Sequence, residues 1–82
     1  MDKKEAQILA ERFAPSFQCP IISTNFVGKI DGLYVFKYFT SIHGKHISNP
    51  LYSAVDENGT IERLYSGDTL YKAMLIVREW NS

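Results

Sequence analysis

The amino-acid sequence predicts an α+β domain with the element order α-β-β-β-β-α, its helices packed on an antiparallel meander sheet. Three observations carry that expectation. Apolar residues recur at helical spacing near both ends of the chain, the middle is rich in β-branched and aromatic residues, and Gly-containing dipeptides cut that middle into hairpin-sized pieces. No linker, repeat or low-complexity stretch interrupts the 82 residues, so one domain over 1–82 is expected.

The first helix begins at Asp2, which with Glu5 has capping-box spacing: a short acceptor followed three residues later by a carboxylate. Ala6, Leu9, Ala10 and Phe13 then share one face, while Lys4, Glu11 and Arg12 lie on others. Pro15 disfavours the α conformation at Ala14, so the helix ends near there and Phe17 packs beyond it.

Asp31-Gly32, His43-Gly44 and Asn58-Gly59 mark three reversals, which places strands near 21–30, 33–42, 45–55 and 60–65. Asp-Gly and Asn-Gly are strong hairpin signals because a type I′ turn needs positive φ at both central residues. Asn49-Pro50 interrupts the third strand, since proline donates nothing to a ladder, and the competing reading makes 41–50 a loop that leaves only Leu51 to Val55 as strand. A helix followed by an antiparallel meander resembles cystatin-like architecture, in which a helix lies across one face of a curved sheet. That resemblance is of element order alone and implies no activity.

Ser66-Gly67-Asp68-Thr69 offers several caps for the last helix, and Asp68 suits the positive end of its dipole. Leu70, Ala73, Met74 and Val77 form its apolar face, Ile76 and Trp80 widen it, and Leu75 sits toward the other side. The arc is wider than covering a small sheet requires.

At 45% apolar residues and zero net charge the chain is not of the disordered class, and no run approaches the ~18 apolar residues of a membrane helix. Neutrality also opposes a dedicated nucleic-acid binder, which needs a basic footprint. Charge is nonetheless uneven. Lys29, Lys37 and Lys45 outnumber Asp31 in the middle, and Asp56, Glu57 and Glu62 outnumber Arg63 in the last hairpin, so the two regions either steer a partner or offset one another. The lone Cys19 cannot form an internal disulfide, which points to a reducing, cytoplasmic setting.

Candidate chemistry is sparse. His43 and His46 flank a turn without the further ligands of a closed zinc site, and Cys19 precedes Pro20 in a connection that offers no helix N-terminus to activate a thiolate. Asp31, Asp56 and Glu57 are explained by turns, and no phosphate loop, dinucleotide fingerprint or nucleophile elbow is present. The expectation is therefore no catalytic residue, no cofactor and no metal.

The residues that stand out are apolar. Tyr34, Phe36 and Tyr38 alternate on one face of the second strand and Leu33, Val35, Lys37 and Phe39 on the other, so the strand is either buried on both sides or presents an aromatic row to a partner. With Leu75 and Trp80 these three rings are the interface candidates. The function expected is a non-enzymatic protein-interaction domain of accessory, adaptor or inhibitor type, self-associating through the aromatic face or the C-terminal helix. Its partner is a protein or a second copy, not nucleic acid or membrane; the alternative is a small-ligand domain with an apolar pocket between helix and curved sheet.

Overall fold

The computed structural model describes residues 1–41 and 50–80, and within them the predicted order of elements is the order found. Helix α1 spans Lys3–Phe13 and a 3-10 turn Ala14–Ser16; strands β1, β2, β3 and β4 span Ile21–Ile30, Leu33–Thr40, Tyr52–Val55 and Ile61–Arg63; helix α2 spans Asp68–Trp80. The strands form one antiparallel sheet in the order β1-β2-β3-β4, so the meander is realised and β2 and β3 are its central strands.

The helices cover opposite faces. Even-numbered residues of β2 (Tyr34, Phe36 and Tyr38) pack with Ala6 and Ala10 of α1, together with Phe17, Leu51 and Val55. Val35, on the other face, packs with Leu70, Ala73 and Val77 of α2, and with Ile30, Tyr52 and Ala54. Apolar character on both sides of β2 thus has a direct cause: the strand is the middle layer of three, and each alternate side chain meets a different helix. The helix across one face matches the expected arrangement, and α2 adds a second layer on the reverse side.

Local chemistry fixes the ends. The Asp2 carboxylate accepts the Glu5 N–H at 2.9 Å, starting α1 as the capping spacing predicts. Pro15 has no N–H for the Glu11 carbonyl, and the Ala14 N–H bonds Glu11 instead, tightening the last turn. The Tyr38 hydroxyl reaches the neighbouring Ala10 carbonyl at 2.7 Å and so caps the helix from the sheet.

The two described hairpins differ. Asp31 and Gly32 both have positive φ, 52° and 79°, as a type I′ turn requires. At Asn58-Gly59 only Gly59 is positive, at 84°, so the expected type I′ turn is not formed there. The Asp56 carboxylate accepts the N–H groups of Asn58 and Thr60, the Gly59 N–H returns to the Asp56 carbonyl, and a three-residue loop results. The third predicted reversal, His43-Gly44, lies outside the described residues, as do His46, Lys45 and the proposed start of the third strand. Of that strand, the structure shows Tyr52–Val55, with Leu51 packed in the core before it.

Candidate functional site

Of the five interface candidates, Tyr34, Phe36 and Tyr38 are buried beneath α1. Buried in this way they offer a partner no surface, and the aromatic row belongs to the core. Phe26 stacks beside Phe36 and Tyr34, and Phe17 lies 4.6 Å from Tyr38 between ring centroids. The Tyr38 hydroxyl also meets the Ser53 hydroxyl at 2.8 Å, and burial pushes its pKa up to about 12.

Leu75 and Trp80 are exposed, at 43% and 45%, but α2 does not bring them together. At 3.6 residues per turn they fall on opposite flanks of the helix, with Trp80 beside the buried Ala73 and Leu75 facing outward. What accompanies Leu75 is Tyr71, one turn earlier and 64% exposed, with Met74 on the edge toward the core. Met74, expected on the buried face, is instead 44% exposed, because Leu70, Ala73 and Val77 alone fill the contact with the sheet.

Asp68 and Arg78 complete this outward stripe. Asp68, Tyr71, Leu75 and Arg78 are spaced three, four and three residues apart and occupy about 80° of helix circumference, roughly opposite the buried face. The stripe is thus apolar in the middle, acidic at its N-terminal end and basic at its C-terminal end. All four residues are exposed, and neither Asp68 nor Arg78 is in an ion pair among the described residues. Sequence reasoning passed over Tyr71; its one-turn spacing from Leu75 was the available signal.

The start of α2 is held in place. Asp31, at the β1–β2 turn, accepts Thr69 Oγ1 at 2.9 Å and Lys72 Nζ at 2.7 Å, and these partners hold its carboxyl below the ordinary range. Lys72 is correspondingly raised, chiefly by its bond to Asp31 at the turn and to a lesser degree by the charge of Asp68 one turn earlier on α2. The helix therefore presents Tyr71 and Leu75 from a fixed position rather than from a frayed end.

The uneven charge partly cancels across the sheet, since Lys29 pairs with Glu57 at 2.7 Å. Lys37 lies over the rings of Tyr52 and Phe39, 4.7 and 5.4 Å from their centroids, and burial pushes its pKa down. Arg63 is stacked between Phe17 and Tyr65 at 4.8 and 4.9 Å. Cys19 is half-buried beside an open depression of about 440 Å³ that includes Phe17 and Ile21, while His43 and His46 lie outside the described residues. Tyr34, Phe36 and Tyr38 pack with Ala6 and Ala10 between α1 and the sheet, the region in which the alternative reading placed a ligand pocket.

The fold and this surface define a small α+β protein, a four-stranded antiparallel sheet between two helices, with an apolar flank left on its last helix. No helix of the described residues is long and apolar enough to cross a membrane. No protein-family model, curated protein or solved structure matches the chain.

Proposed function

We propose that the protein is a non-enzymatic, cytoplasmic protein-interaction domain whose contact surface is the outward flank of α2. One observation carries this reading: Tyr71, Met74 and Leu75 stand exposed on a helix whose opposite face is already anchored in the core. Neighbouring large apolar side chains in water mark a contact surface, and tyrosine is favoured there because its ring is apolar and its hydroxyl remains solvated. The unpaired Cys19 supports a reducing compartment.

A photoreactive amino acid placed at position 71 in living cells tests the reading, with position 62 on β4 as an exposed control. Discrete protein adducts at position 71 that are absent at position 62 are expected. Equal labelling at the two positions refutes a contact surface on α2.

A further inference from the structure

We infer that the partner of this surface is a second copy of the same chain, docked with its α2 antiparallel to the first. The inference rests on the reading of α2 as the contact surface and deepens it.

The order of charges along the stripe selects the occupant. In a two-fold antiparallel pairing centred at the level of Ala73, residues equidistant from the centre meet. Asp68 and Arg78 each lie five residues from it, and Tyr71 and Leu75 each lie two. Asp68 therefore faces Arg78 of the second copy at both ends, and Tyr71 faces Leu75 of the second copy twice in the middle. A parallel pairing sets Asp68 against Asp68 and Arg78 against Arg78, so like charges oppose that arrangement. The helix dipoles also run in opposite directions in the antiparallel pair, which favours it further.

The anchoring of α2 fits this role. Lys72 feels the charge of Asp68 but makes its ion pair with Asp31 at 2.7 Å, so Asp68 has no ion pair among the described residues and is open to Arg78 of the second copy. Thirteen helical residues span about 20 Å. Two apolar residues per copy with charged ends bury less than the ~1,200 Å² of a stable interface, so the dimer is weak and concentration-dependent.

Sedimentation equilibrium of the full chain, from micromolar to millimolar concentration, reads the association directly. Wild type is expected to dimerise, and D68R and R78D are each expected to weaken dimerisation at least about tenfold, because each sets like charges at both ends of the stripe. An equimolar mixture of the two variants regains association, since Arg at position 68 of one then meets Asp at position 78 of the other. Tyr71→Ser, which leaves every charge in place, also weakens the dimer and decides the matter should D68R fail to fold by circular dichroism. A wild type monomeric throughout, or a mixture no tighter than either variant alone, overturns the inference. Monomeric behaviour together with adducts to a different protein at position 71 overturns only the second-copy partner; no adducts of any mass at position 71 overturns the contact surface itself.

Discussion

Replacing Tyr38 by Phe removes one oxygen from the centre of the molecule, and the geometry sets what that costs. The Ala10 carbonyl can only accept, so the single Tyr38 hydroxyl proton is directed to it at 2.7 Å, and the Ser53 hydroxyl must then donate to the Tyr38 oxygen at 2.8 Å. Both residues are wholly buried. Tyr38→Phe leaves a helix carbonyl and a serine hydroxyl without that partner, at about 1–3 kcal/mol for each stranded group. Because the serine hydroxyl can rotate toward another acceptor, the expected loss is about 2–3 kcal/mol, or about 10–20 °C in melting temperature for a chain of this size. Urea unfolding followed by far-UV circular dichroism measures it. Tyr38→Phe combined with Ser53→Ala should cost less than the sum of the single changes, since the serine is no longer stranded. A Tyr38→Phe variant within about 0.5 kcal/mol of wild type, or a strictly additive double variant, refutes the network as drawn.

Other expectations follow from the same contacts. The folded state holds the Tyr38 proton up to about pH 12 whereas an ordinary tyrosine releases it at 10.0, so stability falls as pH rises through that window. The slope is about 1.4 kcal/mol per pH unit from this group and should be shallower in Tyr38→Phe by urea titration at each pH; an unchanged slope contradicts the assignment. Asp31 has the opposite sign: its carboxyl is depressed, so its contribution is present above the ordinary value of 3.8 and disappears as pH falls through the folded value. Asp31→Asn, which tolerates the same turn, should flatten the acid dependence of the urea midpoint, and a wild-type-like dependence contradicts the tie to Lys72. Gly59→Ala places a Cβ at φ +84°, 3.4 Å from Met1 Cε, and should destabilise by about 1 kcal/mol; an unchanged urea midpoint argues against the three-residue loop.

Periodicity made the element order legible, because the apolar spacing changes from helical to alternating after Phe17 and back again before Leu70. The same alternation could not say how many layers cover the sheet. In the sequence Tyr34, Phe36 and Tyr38 read equally as a core or as a patch; α1 above them and α2 on the reverse face of the sheet make them core. The second hairpin escaped because a side chain, the Asp56 carboxylate, supplies hydrogen bonds that the Asn-Gly dipeptide does not encode. On α2 the arc of apolar residues was visible, but its division was not: only the contact with Leu70, Ala73 and Val77 separates Tyr71 and Leu75 from the core. The 68-71-75-78 spacing was present in the sequence throughout and gains meaning from that orientation.

The most direct test of the central claim is the equimolar mixture of D68R and R78D in sedimentation equilibrium. Antiparallel self-pairing of α2 predicts that two chains which repel their own kind associate with one another as tightly as wild type does. A mixture in which both remain monomeric at concentrations where wild type dimerises contradicts it.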